Sequence, residues 1–135
     1  MRTLIAEDND DIRETLRILL VGAGYIVEEA ANGEEALAAL RATGEPCVAL
    51  LDLTMPKLSG IDVMRAIAAE AGLARLRFIL LTARQAPLQS ADTDLLERLA
   101  APVVYKPFNI DDVLAAVQEA ERGLTNRPTE IRYPQ

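Results

Sequence analysis

Two hydrophobic rhythms alternate along the chain. Short runs rich in apolar residues occur at 3–6, 25–30, 47–51, 78–81 and 103–105. Runs this short, bounded by turn residues, predict strands, and the wholly apolar 47–51 run predicts one buried on both faces. Between them the apolar positions recur at helical spacing. Ile12, Leu16, Leu19, Leu20 and Ala23 form one stripe; Ala36, Leu37 and Leu40 a second; Ile61, Met64, Ala68 and Ala71 a third. Leu95, Leu96 and Leu99 give a thin fourth stripe, and Ile110, Val113, Leu114 and Val117 a fifth. Asn9, Asn32, Ser59 and Asn109 each stand where a helix needs an N-terminal cap. Gly24 stops the first helix, and Gly44, Glu45 and Pro46 break the second.

Strand-then-helix units in succession predict an α/β domain: a doubly wound, five-stranded parallel sheet with helices on both faces and right-handed crossovers. Residues 1–123 read as this single domain. Residues 124–135 read as a polar tail or the start of a linker, with Pro128 and Pro134 in it.

The centre of the pattern is 47–60, CVALLDLTMPKLSG. Its buried strand runs straight into Asp52, and turn residues follow at once. A carboxylate there is costly unless something compensates it. Other strands also end on polar groups: Glu7 and Asp8 after the first, Thr82 at the end of the fourth, Lys106 at the end of the fifth. Parallel strands bring these ends to one edge. With strand order 2-1-3-4-5 the polar ends are contiguous, at the edge where open α/β sheets bind ligands. Two like charges 4 Å apart repel by roughly 4 kcal/mol at an effective dielectric of 20. Such a cluster demands cations. Lys106 supplies one, and an all-oxygen donor set makes Mg²⁺ the natural other. A carboxylate on Mg²⁺ beside a hydroxyl and an ammonium suits phosphoryl transfer, with Asp52 as nucleophile.

Composition narrows the choice. The chain has no histidine, which excludes a Ser-His-Asp triad, a Cys-His pair and a histidine metal site. Its net charge of −7 argues against direct nucleic-acid binding and against an anionic membrane surface. No apolar run reaches the length of a membrane span. The single cysteine, Cys47, has no internal disulfide partner and reads as a core residue, consistent with a cytoplasmic location.

The motifs IAEDN (5–9), LLDLTMPKLSGIDVM (50–64), LLTAR (80–84) and YKPF (105–108) resemble the receiver domain of two-component response regulators. The resemblance spans residues 2–122. It implies a flavodoxin-like receiver fold and a signalling domain rather than an enzyme with its own substrate. Asp52 would be the phosphoacceptor. Mg²⁺ would be held by Asp8 and Asp52, by Glu7 through water, and by the backbone carbonyl of Thr54. Thr82, the backbone of Ala83 and Lys106 would grip the phosphoryl group. Thr54 and Arg84 would border the route of attacking water and tune phosphoryl lifetime. The Lys106–Pro107 bond would be cis. The donor would be a histidine kinase or histidine phosphotransfer protein, and the output an effect on a partner protein. The face of the fourth helix, fifth strand and fifth helix would serve homodimerisation.

Two positions depart from that pattern. Glu7 stands where Asp is more usual. Val103 stands three residues before the lysine, where receivers carry a mobile aromatic ring; Tyr105 is the candidate replacement. Two other readings of the cluster fit the residues less well. A phosphatase of the haloacid dehalogenase type needs a general-acid aspartate two residues after the nucleophile, and here that position is Thr54. A plain flavodoxin-like binding module lacks support from any phosphate-binding glycine loop.

Overall fold

The computed structural model describes residues 1–70, 73–83, 86 and 88–125. Strands β1 (Arg2–Ala6), β2 (Ile26–Ala30), β3 (Cys47–Asp52), β4 (Leu76–Ala83) and β5 (Val103–Lys106) alternate with helices α1 (Asp10–Gly22), α2 (Gly33–Ala42), α3 (Gly60–Ala68), α4 (Ser90–Arg98) and α5 (Ile110–Thr125). All the strands pair in parallel, in the order β2-β1-β3-β4-β5. This is the predicted doubly wound sheet.

Strand alternation divides the core. Leu4, Ala49, Leu51, Phe78 and Leu80 face one way and pack with Ala36, Leu40, Met64, Ile67, Leu95 and Leu96 of α2, α3 and α4. Ile5, Val48, Leu50, Ile79 and Leu81 face the other way and pack with Leu16 and Leu20 of α1 and Val113 and Val117 of α5. Every residue of β3 is buried. Cys47 lies in the core, and burial pushes its thiol up to about 11.

Several edges differ from the sequence pattern. β4 extends from Leu76, itself buried, to Ala83 rather than over 78–81. Tyr25 lies outside β2: its N–H bonds to the Leu20 carbonyl, and its hydroxyl donates to Glu121 at 2.8 Å. The inner face of α3 includes Val63 and Ile67, whereas Ala68 is half-buried and Ala71 lies outside the described residues. Ile110 is 47% exposed. As the first residue of α5 it precedes the turn at which Val113 reaches the sheet. Leu124 is buried within α5, so the helix continues past residue 123 to Thr125. Residues 126–135 of the expected tail lie outside the described residues.

The start of α3 fixes the backbone under Asp52. Ser59 caps the helix in a reciprocal box with Asp62, and the Gly60 N–H bonds to the Leu53 carbonyl at 3.1 Å. A β-carbon on Gly60 would lie 2.6 Å from the Asp52 carbonyl oxygen. The contact is to backbone, so the site has no cheap relief.

Gly60→Ala is therefore expected to cost about 1–3 kcal/mol in urea-unfolding experiments. Gly22→Ala, at the end of α1 with nothing within 4 Å of the added carbon, should be neutral or stabilise by up to about 1 kcal/mol. Equal effects of the two substitutions would contradict the packing described here.

Candidate functional site

The polar strand ends meet on one edge of the sheet. Register and alternation decide which side chains touch. Glu7 continues the α1/α5 face of β1 that Ile5 occupies. Asp52 and Lys106 continue the same face beyond Leu50 and Val104. The Lys106 ammonium accordingly sits between both carboxylates, 2.8 Å from Glu7 Oε1 and 3.3 Å from Asp52 Oδ2. Thr82 and Tyr105 are register partners and share the opposite parity, toward the α4 side.

Glu7 is fully buried and held from several directions. Its N–H bonds to the Ala30 carbonyl at 3.1 Å. Its Oε2 accepts from the Asn9 N–H at 3.1 Å. Asn9 in turn caps α1, accepting from the Ile12 N–H at 3.0 Å. Arg13, in the next turn, donates to the Glu7 carbonyl at 2.8 Å, to Asp10 at 2.5 Å and to Glu29 at 3.3 Å. Asp52 is 4% exposed, and its Oδ1 accepts from the Thr54 N–H at 3.4 Å. Asp8 faces solvent, yet Glu7, Asp8 and Asp52 each place a carboxylate oxygen within 4.8 Å of the others. Three hard oxygen donors at that spacing fit a hydrated Mg²⁺ ion, which tolerates several waters beside one or two carboxylates.

The electrostatics are unbalanced. Burial, then the neighbouring Glu7 charge, pushes the Asp52 carboxyl up to about 7, against the pull of Lys106. Burial opposes the charge on Lys106, but Glu7 and Asp52 outweigh it and raise its pKa.

Thr82 is 1% exposed and its hydroxyl donates to the adjacent Ala83 carbonyl at 3.2 Å. Ala83 is the register partner of Lys106, and the Lys106–Pro107 bond is cis. Thr54 is exposed beside Asp52, whereas Arg84 lies outside the described residues. Val103 is half-buried and packs against the α2–α4 core, and Tyr105 is 38% exposed. A cavity of about 440 Å³ opens beside the Asp52 loop, with Thr54, Met55, Arg65, Ala86 and Asp92 in its wall. Arg65 of α3 pairs with Asp92 of α4 across it at 3.1 Å. The Gln89 N–H and Arg65 hold the Asp92 carboxyl below its usual range. Arg13 and Arg65 carry no motif and were not legible as site residues. The only sequence signal for Arg13 is its place one helical turn after the cap.

The response regulator receiver domain model matches residues 3–118. The chain belongs to the response regulator receiver family. It is 34% identical over 131 residues to the DNA-binding response regulator MtrA of Mycolicibacterium smegmatis, covering 96% of this chain and 54% of that protein. It is 35% identical over 118 residues to the transcriptional regulatory protein DltR of Streptococcus agalactiae, covering 87% of this chain and 50% of that one. This receiver thus spans about half the length of those curated relatives. Among solved structures it resembles the response regulator TrrA of Thermotoga maritima in complex with Mg²⁺–BeF, at 33% identity and TM-score 0.70, covering 88% of this chain and 97% of that one. Chemotaxis response regulator CheY4 of Vibrio cholerae matches at 28% identity and TM-score 0.74 over 88% and 97% of the two chains. The family consists of phosphoacceptor signalling domains in two-component systems. Among the described residues, no helix of this receiver is long and apolar enough to cross a membrane.

The raised Asp52 pKa carries a pH signature. Between the unfolded value of 3.8 and about 7, the unfolded chain releases this proton while the folded domain keeps it. Stability contributed by the protonated carboxyl is thus present below about pH 4 and lost as pH rises to about 7. Metal-free stability measured by urea unfolding should drop over that window by about 1–4 kcal/mol from this group. Asp52→Asn should flatten the drop.

Proposed function

We propose that this receiver accepts a phosphoryl group on Asp52 from a histidine of a partner kinase or phosphotransfer protein, with Mg²⁺ held by Asp8 and Asp52. Glu7 supports the ion through water, and the Thr54 carbonyl completes its shell. The observation that carries this reading is the buried Asp52 carboxylate joined to Lys106 beside Glu7 and Asp8. An Asp52 oxygen attacks phosphorus, and the bond from phosphorus to the donor's histidine nitrogen breaks. That nitrogen leaves with the bonding pair. The bound Mg²⁺ supplies charge neutralisation for the phosphoryl oxygens. Lys106 gives a second cation, already within reach of Asp52. Thr82 gives up its bond to its own neighbour's carbonyl for a charge-assisted one to the phosphoryl group, and the Ala83 N–H donates to it. Water later hydrolyses the acyl phosphate, with Thr54 and Arg84 setting the rate.

Output passes to a partner protein, or to a domain in a longer chain, through a shift of conformation. The face formed by α4, β5 and α5 is the surface for that output, self-association included. The net charge of −7 supports a segment that does not itself touch nucleic acid. We place this signalling in the cytoplasm. The switch runs through the β4–α4 connection and α4, because valine is stiff about its first torsion and has no ring to swing. Thr82 shares its sheet face with the α4 side, and the Arg65–Asp92 pair links the start of α4 to α3.

With Mg²⁺ and acetyl phosphate, intact-mass spectrometry should show one phosphoryl group on the wild type and none on Asp52→Asn or Asp8→Ala. Glu7→Ala should slow labelling less than Asp8→Ala. Label undiminished in Asp52→Asn would overturn the assignment. Arg84→Ala and Thr54→Ala should change the hydrolysis rate, and unchanged rates would remove that role. For the switch, amide NMR spectra with and without beryllofluoride should show shifts extending across 84–100. Shifts confined to Val103 and Tyr105 would contradict it.

A further inference from the structure

The acidic pair that reads as part of the metal site lies where the sheet no longer holds the chain. Pairing of β1 with β2 ends at Ala6 and Ala30, and with β3 at Ala6 and Leu51. The Glu7 N–H still reaches the Ala30 carbonyl, but the Glu7 carbonyl lies beyond the ladder. That carbonyl belongs to the peptide joining Glu7 to Asp8. Its orientation therefore sets the direction in which the Asp8 side chain leaves the backbone.

The Arg13 guanidinium takes over where the ladder stops. One nitrogen donates to the Glu7 carbonyl at 2.8 Å, a second to Asp10 at 2.5 Å and the third to Glu29 of β2 at 3.3 Å. Its side chain is only 18% exposed. One rigid planar fork thus ties the end of β1, the start of α1 and the edge strand together. The Glu7 carboxylate is fixed independently, by Asn9 and Lys106. What Arg13 adds is the orientation of the Glu7–Asp8 peptide.

We propose that Arg13 is a positioning residue for the divalent-ion site, presetting Asp8 through the Glu7 carbonyl. This rests on the Mg²⁺ reading above. Outer residues that orient ligands typically change metal affinity by about 10–100-fold when removed. The sign of the effect separates this role from simple electrostatics. Arg13 is a cation bonded to the backbone of one of the three acidic residues, so by charge alone its removal should leave Mg²⁺ binding unchanged or tighten it. A purely structural role would lower the melting temperature and leave the affinity of the folded protein unchanged.

The test is Mg²⁺ titration by isothermal calorimetry on the whole chain, at a temperature where each variant is folded by circular dichroism. Arg13→Met keeps much of the stem and removes every donor. It should raise the Mg²⁺ dissociation constant about tenfold. Glu29→Gln leaves the bond to the Glu7 carbonyl in place and should bind like wild type. Unchanged or tighter binding in Arg13→Met overturns the proposal. If Arg13→Met does not fold, Arg13→Lys decides. Its single ammonium favours the carboxylates over the carbonyl and cannot serve all three partners. Weaker Mg²⁺ binding in folded Arg13→Lys then supports the role, and wild-type affinity overturns it. Failure of the wild type itself to bind Mg²⁺ would defeat the metal reading, an outcome distinct from a wild-type affinity in the variants.

Discussion

One ammonium group holds the functional edge together. Lys106 is the cation that reaches both Glu7 and Asp52, and both carboxylates are buried. A second negative charge in so small a volume is only partly compensated by one lysine. The surplus appears as the proton that Asp52 keeps up to about pH 7. The fold does not remove this imbalance. Fixed contacts surround the acidic groups instead: Gly60 against the Asp52 carbonyl, the Asn9 N–H on the Glu7 carboxylate, the Arg13 guanidinium on the Glu7 carbonyl. A domain that stores repulsion at one edge is primed for a divalent ion and for a dianionic phosphoryl group balanced by it.

Much of the architecture was legible because the strands of a parallel sheet are short, apolar and separated by amphipathic helices. The thin stripe Leu95, Leu96 and Leu99 sufficed to place α4, since all three are buried. What escaped the sequence depended on contacts across elements. Periodicity assigned Ile110 to a buried face, but a helix reaches its sheet only after its first turn. It also left Val63 and Ile67 off α3's inner face, because a helix packed on both the sheet and α2 buries more than one stripe. The acidic cluster was visible as residue types at successive strand ends. The direction of each side chain was not. That needed the register, which puts Glu7, Asp52 and Lys106 on one parity and Thr82 with Tyr105 on the other. Arg13 and Arg65 were invisible for a plainer reason. Arginine on an exposed helix is common, and only a partner distant in sequence gives it meaning.

That parity also separates the charged groups from the hydroxyl. The charged groups lie on the side of α1 and α5, and the hydroxyl of Thr82 lies on the side of α2, α3 and α4. Ion pairs run across this second group of helices, Arg41 of α2 to Glu70 just beyond α3, and Arg65 of α3 to Asp92 of α4. Each pair is partly exposed and individually weak. Such links are readily remade, which supports the proposal that the switch runs through α4.

The outer strand has a bearing on how the protein behaves in a crowd. β2 lies at the margin of the sheet, and among the described residues no strand pairs with the outer side of its backbone. A bare margin of this kind is a template on which another chain can crystallise as an extra strand, and Ile26 at its start is 55% exposed. Glu28 and Glu29 follow it, both exposed. Two adjacent acids on a marginal strand, in a chain already carrying −7, make stacking of one copy against another electrostatically unfavourable. The glutamate that pairs with Arg13 therefore also helps keep molecules apart, so one carboxylate serves an internal ion pair and colloidal stability at once.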